Sequence, residues 1–154
     1  MCIRDSSDIT SANPAPIEGN FLKLTGTPLS NIEWIGGAEN NSDDTDVFQT
    51  FGITTDVNNT LIEMDVHNNG KEKTYLLLAL KERDGSTNDF TTEVAIDWDG
   101  WGKVSLPLNR FLDLNDAPID PSKIKTLKVH LTDGDGSGQA IEANVDNIKF
   151  LEIL

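Results

Sequence analysis

The feature that most constrains this chain is a series of short segments in which apolar and polar residues alternate. The clearest examples are residues 61–67, 90–98 and 126–132. A period of two is typical of a β-strand with one buried face, because successive side chains point to opposite sides of the strand. Clusters of glycine, aspartate and asparagine separate the segments, as expected for turns. The sequence therefore predicts many short strands and almost no helix.

The number and spacing of these segments predict the fold class. Eight or nine antiparallel strands with such turns indicate an all-β protein, a β-sandwich. The long connections 36–46 and 112–122 favour a jelly-roll or Greek-key sandwich over a simple meander. Residues 74–81 are apolar on both faces, which favours a central strand. Asp99-Gly100 and the glycine-rich segment 133–138 predict hairpin turns.

The last predicted strand, 140–153, changes its apolar face part-way along. Ile141 and Val145 have odd numbers, whereas Ile148 and Phe150 have even numbers. One extra residue in the strand produces such a change, so we expect a β-bulge at Asp146-Asn147.

Composition excludes several classes of function. The 154 residues carry a net charge of −14, which argues against nucleic acid and anionic lipid as partners. Cys2 is the one cysteine and there are two histidines, so neither a cysteine-based zinc site nor a three-histidine metal centre can form. No apolar run approaches the length of a membrane span.

The length fits one domain preceded by a short polar segment. Residues 1–17 are rich in Ser, Asp, Asn, Ala and Pro, which predicts a disordered leader or linker, and the β-sandwich domain is assigned to 18–154. Residues 1–6 resemble a translated adapter sequence, and an ordinary leader is the alternative. We expect further domains upstream.

Three segments together resemble a known group of domains. They are WGKVSLPLNRF at 101–111, IDPSKIKTLKVHL at 119–131 and VDNIKF at 145–150. They resemble the C-terminal half of galactose-binding-like jelly-roll domains, which include carbohydrate-binding modules and glycan-binding domains of bacterial surface polysaccharide-utilisation lipoproteins. The resemblance implies a non-catalytic sandwich that binds a polysaccharide or oligosaccharide. It also implies a structural Ca²⁺ ion, with Asp146 and Glu18 as its candidate ligands.

Candidate sugar-binding residues are aromatic or polar. Exposed rings stack on the apolar C–H patches of a pyranose, so Trp98, Trp34 and Tyr75 are candidates, with core packing as the alternative for each. Trp101 and Phe111 are expected in the core.

Polar side chains on the outer faces of strands are the other candidates. They are Asp65, His67 and His130, accompanied by Glu63, Lys128, Glu142 and Asn144. If their strands are neighbours, these side chains line a groove suited to hydroxyl groups; otherwise they form a solvated surface.

The sequence thus predicts a non-catalytic carbohydrate-binding module, the C-terminal domain of a larger exported bacterial surface protein, located outside the cell. One alternative is a structural or adhesion β-sandwich without sugar binding. The other is a jelly-roll glycosidase or lyase, which needs a pair of carboxylates about 5–10 Å apart. Some pair among 26 acidic residues meets that spacing by chance, and no sequence signature selects one pair, so we expect no catalysis.

Overall fold

The computed structural model describes residues 4–5, 9–10, 21–27, 35–41, 56–70, 74–82, 89–120, 124–134 and 138–153. Its strands are β1 (Arg4–Asp5), β2 (Ile9–Thr10), β3 (Phe21–Gly26), β4 (Ile35–Asn41), β5 (Thr60–Asn69), β6 (Thr74–Glu82), β7 (Asp89–Ala95), β8 (Asp99–Pro107), β9 (Ile124–Asp133) and β10 (Ile141–Glu152). One turn of 3-10 helix, Leu108–Arg110, follows β8. The described part of the chain holds no helix long and apolar enough to span a bilayer.

The strands form two five-stranded sheets. The first sheet has the order β1-β4-β9-β6-β7, and the second sheet has the order β2-β3-β10-β5-β8. All described pairs are antiparallel. The two sheets pack into a sandwich, which confirms the predicted jelly-roll class.

Most strands that follow one another in the chain lie in different sheets, so two of the predicted hairpins are wrong. Asp99-Gly100 does not join a hairpin, because β7 lies in the first sheet and β8 begins at Asp99 in the second. Gly100, with φ +81°, lies inside β8. After β7 the chain is held to the first sheet by Ile96 N, which donates to Thr74 O at 2.9 Å. The glycine-rich segment after β9 likewise leads from the first sheet to the second.

The inner faces of both sheets supply one apolar core. In β5 the predicted alternation is confirmed, with Ile62, Met64 and Val66 buried. In β6 the even-numbered leucines enter the core, while Tyr75 and Leu77 on the opposite face are half-buried. Burial of each such aliphatic side chain contributes about 1.5–3 kcal/mol, so this shared core holds the two sheets together.

The predicted bulge in β10 is confirmed. Asp146 pairs with Asp65, and the next described pair is Lys149 with Glu63, so β10 holds one more residue than β5 over this stretch. Asn147 adopts the left-handed conformation, with φ +52°. Asparagine tolerates this conformation better than most residues do. The bulge turns the side chains that follow Val145 to new directions.

The structure modifies the predicted boundaries near the start of the chain. The first long connection is shorter than expected because β4 extends through Asn41, whose backbone is opposite Thr126 of β9. The short strands β1 and β2 fall within residues 1–17, the predicted linker. The domain boundary at residue 18 stays a prediction, since residues 11–20 lie outside the described part of the chain.

Candidate ligand-binding site

The outward side chains of β3, β10, β5 and β8 share one surface, which we call the outer face of the second sheet. On each strand they alternate with residues that enter the core. The members used below are Phe21, Lys23, Glu63, Asp65, His67, Trp101, Lys103, Glu142, Asn144 and Asp146. Neighbouring strands thus bring Asp65 and His67 together with Glu142 and Asn144. Lys128 and His130, predicted as members of the same group, lie on β9 in the first sheet.

Three rings form an aromatic cluster on this face: Phe21, His67 and Trp101. The Trp101 ring meets His67 edge-on, with centroids 5.3 Å apart, and meets Phe21 edge-on at 6.1 Å. Two strands separate β3 from β8, so their backbones are about 14 Å apart at the usual strand spacing. The Phe21 and Trp101 rings therefore extend over the intervening strands and cover part of the sheet.

The position of Trp101 corrects the prediction of core packing for this residue. It is half-buried and lies outside the sandwich. It shares its side of β8 with Lys103 and Ser105, whereas Val104 and Leu106 enter the core. Phe111, the other aromatic expected in the core, is fully buried there.

Three buried polar atoms beside this cluster have no hydrogen-bond partner. They are Trp101 Nε1, His67 Nδ1 and Asn144 Oδ1. Asn144 pairs with His67 across β10 and β5, and His67 pairs with Trp101 across β5 and β8, so the three residues lie in one row across the sheet. Buried polar groups are normally paired, so three unpaired atoms in one row are unusual.

A charged region adjoins the row on its Asp65 side. Lys103 Nζ lies 3.5 Å from Asp65 Oδ1, and Asn147 Nδ2 donates to Asp65 Oδ2 at 2.7 Å. Lys149 Nζ lies 3.4 Å from Glu63 Oε2. A surface hollow of about 380 Å³ opens here, lined by Asp65, Lys103, Asn147, Ile148 and Lys149. The bulge thus contributes an amide to the wall of this hollow.

Glu142 lies beyond Asn144 on the same strand and remains ionised. Its Oε2 is 2.6 Å from Lys23 Nζ, and its Oε1 accepts a hydrogen bond from Asn69 Nδ2 at 2.9 Å. Partial burial raises the pKa of Glu142, but the hydrogen bonds from Lys23 and Asn69 and the charges of Lys23 and His67 outweigh burial. The net pKa lies below the ordinary value of a glutamate.

Trp98, a candidate stacking residue, packs on the inner side of β8. Its ring is half-buried against the core and lies over Gly102. Its Nε1 donates to Val66 O at 3.1 Å. These contacts correspond to core packing, which was the alternative to sugar stacking for Trp98.

The remaining candidates do not join the outer face of the second sheet. Tyr75 and His130 are on the outer face of the first sheet, where Tyr75 pairs with Thr132 and His130 with Leu77. Trp34 and Glu18 lie outside the described residues. The predicted site residues are thus divided between two faces of the sandwich and its interior.

Asp146, a candidate calcium ligand, is half-buried where the bulge of β10 begins. Asp146 Oδ1 accepts a hydrogen bond from Asn147 N at 2.8 Å. Within the described ranges no group of three or more His, Cys, Asp or Glu side chains is placed to hold a metal ion. The calcium ion implied by the resemblance stays a prediction.

Comparisons with known proteins agree with this fold. No protein-family model and no curated protein sequence matches the chain. Among solved structures, it is similar to the family 11 carbohydrate-binding module of Clostridium thermocellum in complex with a β-1,3-1,4-mixed-linked tetrasaccharide. The TM-score is 0.65 at 17% identity, over 100% of this chain and 86% of that one.

Two further solved structures are similar. A family 30 module of a cellulosomal cellulase of the same organism gives a TM-score of 0.62 at 17% identity, over 99% of this chain and 85% of that one. SGBP-B from a complex xyloglucan utilization locus in Bacteroides uniformis gives a TM-score of 0.58 at 17% identity, over 96% of this chain and 44% of that one. The chain has the β-sandwich fold of carbohydrate-binding modules.

Proposed function

We propose that this chain is a non-catalytic carbohydrate-binding module and that its glycan-binding site is the outer face of the second sheet. The observation that carries the proposal is the aromatic cluster of Phe21, His67 and Trp101, which lies beside polar side chains such as Asp65 and Asn144 on the same face. Sugar recognition uses this combination, because a pyranose presents both hydroxyl groups and apolar C–H patches. The likeness in fold to a module in complex with a tetrasaccharide supports the same class of ligand.

The state of the carboxylates supports a binding role rather than catalysis. A glycosidase needs one carboxylic acid that stays protonated near neutral pH, with its pKa raised. On this face the hydrogen bonds from Lys23 and Asn69 hold the pKa of Glu142 below its ordinary value. Asp65 and Glu63 form ion pairs with Lys103. The carboxylates named here therefore suit orientation of hydroxyl groups better than proton transfer.

We further propose that the domain belongs to a larger exported bacterial surface protein and acts outside the cell. One similar module is part of a cellulosomal cellulase, and the similar SGBP-B chain is more than twice as long as the part that this chain matches. An acidic surface, from a net charge of −14, is compatible with this location.

Two histidines on opposite faces provide the test. We would titrate the protein with neutral polysaccharides, including mixed-linkage β-glucan and xyloglucan, and measure affinity by calorimetry. His67→Ala should weaken binding about tenfold, because it removes a contact from the proposed site. His130→Ala changes the same residue type on the first sheet, so a larger loss there would move the site to that face. Absence of saturable binding by every glycan would favour a structural or adhesion role.

A further inference from the structure

We infer that the hollow beside the bulge of β10 is a subsite for a sugar residue of an uncharged glycan, with Ile148 as its apolar surface and Asn147 as its main hydrogen-bonding group. The inference rests on the proposed function and names the part of the face that holds the sugar. The hollow is open to solvent, so a ligand can reach its walls directly.

The lining of the hollow combines one apolar side chain with four polar ones. Ile148 packs against the core and also lines the hollow, so the apolar surface that it offers is held in place. The polar members are Asp65, Lys103, Asn147 and Lys149. A pyranose presents C–H patches beside hydroxyl groups, which suits this mixed lining. The volume of about 380 Å³ is near the lower end of the roughly 300–1,000 Å³ of small-molecule sites, which suits a short piece of glycan.

The bulge places the amide of Asn147 in the wall of the hollow and fixes its orientation. Asn147 has a φ of +52°, a conformation that most residues avoid. Its Nδ2 donates to Asp65 Oδ2 at 2.7 Å, and this contact sets the direction of the amide. Among the described residues, the other N–H of the amide and its Oδ1 make no hydrogen bond. They offer a donor and an acceptor to a hydroxyl group, which itself both donates and accepts.

The two lysines of the hollow keep hydrogen-bond donors for a ligand. Lys103 Nζ is 3.5 Å from Asp65 Oδ1 and 3.8 Å from Glu63 Oε2. Lys149 Nζ is 3.4 Å from Glu63 Oε2. These separations exceed the usual length of a hydrogen bond, about 2.7–3.2 Å. Both lysine side chains are about half exposed and the two carboxylates less than one-fifth, so a ligand that enters from solvent meets the ammonium groups first.

The carboxylates beneath the lysines favour an uncharged ligand. Glu63 and Asp65 balance the two positive charges, and Asp146, opposite Asp65 in the sheet, adds a further carboxylate. An anionic sugar would therefore meet no surplus of positive charge, in a protein whose net charge is −14. The lysines can instead donate to the hydroxyl oxygens of a neutral sugar.

The hollow adjoins the aromatic cluster, so the two form one continuous site. Lys103 follows Trp101 by two residues on the same side of β8, and Asp65 precedes His67 by two residues on β5. Residues two apart in a strand are about 7 Å apart. A glycan with one residue in the hollow therefore extends to the rings of the cluster.

Replacement of Asn147 by glycine removes the amide and keeps the bulge, because glycine adopts a positive φ without strain. We would use the neutral glycan that wild-type protein binds most tightly, and expect Asn147→Gly to weaken binding about tenfold. Asp116→Gly is the matched control. Asp116 also has a positive φ, +59°, but does not line the hollow, so its replacement should leave affinity unchanged.

Lys149→Met tests the donors of the hollow, and Lys81→Met is its control. Both lysines lie 3.4 Å from a carboxylate oxygen, but Lys81 is on β6 in the first sheet. We expect about a threefold loss of affinity for Lys149→Met and none for Lys81→Met. In NMR spectra of wild-type protein, the side-chain amide signal of Asn147 should shift on addition of glycan. This signal is identified by its absence from the spectrum of Asn147→Gly.

Unchanged affinity in Asn147→Gly, or an amide signal of Asn147 that does not move, would overturn the inference and leave the proposed function standing. So would an equal loss of affinity in Asn147→Gly and Asp116→Gly. Tighter binding of a polysaccharide of uronic acids than of every neutral glycan would overturn the choice of an uncharged ligand. If wild-type protein binds no glycan, both the inference and the proposed function fail.

Discussion

Replacement of Gly102 by alanine tests how closely Trp98 packs against β8. A Cβ atom at position 102 would lie 2.6 Å from Trp98 Nε1 and 2.9 Å from Trp98 Cδ2, both far inside van der Waals contact. These atoms belong to a rigid indole that is half-buried against the core, so the whole ring must move. Such a movement would break the hydrogen bond from Trp98 Nε1 to Val66 O.

The expected loss of stability follows from three contributions. Overpacking costs about 1–3 kcal/mol. Loss of the hydrogen bond to Val66 O adds about 1 kcal/mol. Gly102 does not adopt the left-handed conformation, so alanine returns about 0.4–1 kcal/mol by restricting the unfolded chain. The net loss is about 1–3.6 kcal/mol, or a midpoint lower by roughly 3–11 °C at about 3 °C per kcal/mol for a domain of this size.

The assay is urea and thermal unfolding in two backgrounds, wild type and Trp98→Ala. Without the indole, Gly102→Ala should cost less than about 0.5 kcal/mol, because the clash is gone. Gly100→Ala is the matched control. A Cβ there meets nothing within 4 Å, but φ is +81°, so strain of about 1 kcal/mol should appear equally in both backgrounds. An equal cost of Gly102→Ala in both backgrounds would refute the reasoning.

Three further predictions concern the bulge, Glu142 and calcium. Asn147→Ala should unfold at a lower urea concentration than Asn147→Gly. Both variants lose the hydrogen bond to Asp65, but glycine adopts a positive φ without strain. Equal unfolding midpoints for the two variants would contradict this. The folded-state pKa of Glu142 is lowered, so its stabilisation is present above the pKa of the unfolded chain and is lost as pH falls through the folded value. Glu142→Gln should therefore lose less stability than wild type on acidification, as measured by unfolding at a series of acidic pH values; parallel curves would count against it. If calcium binds near Asp146, excess CaCl₂ should raise the thermal midpoint relative to EGTA, and Asp146→Asn should remove the difference; no difference in wild type would exclude the site.

Local patterns predicted the elements of this fold better than their connections. The alternation around Met64 and the change of parity before Ile148 report which side chains are buried, and both predictions are confirmed. Asp99-Gly100 carries a hairpin signal, but a turn signal marks only where the chain changes direction. Whether the next strand joins the same sheet depends on distant partners, here β5 for β8.

The candidate site was predicted only in part, because local patterns show which side of a strand a residue lies on but not which strands are neighbours. Asp65 and His67 lie on the predicted polar side of their strand, and β10 adds Asn144 beside them. The resemblance places Trp101 in the core, because the tryptophan of this pattern mostly packs against the Pro and Phe that follow it, although its alternation with Val104 indicates the outer face. His130 has the same local pattern as His67. The two lie on opposite faces of the sandwich because β9 belongs to the first sheet and β5 to the second, which the local pattern does not show.

The central position of β10 in the second sheet has a consequence for the order of folding. β10 pairs with β3 on one side and β5 on the other, so without it the sheet consists of two separate pieces, β2-β3 and β5-β8. During synthesis on the ribosome, both pieces precede β10 in the chain. Each then presents an unpaired strand edge, which is a template for association with other chains. Asn144 lies opposite His67 only after this strand inserts, so the proposed binding face and protection from aggregation should be completed in one and the same late step.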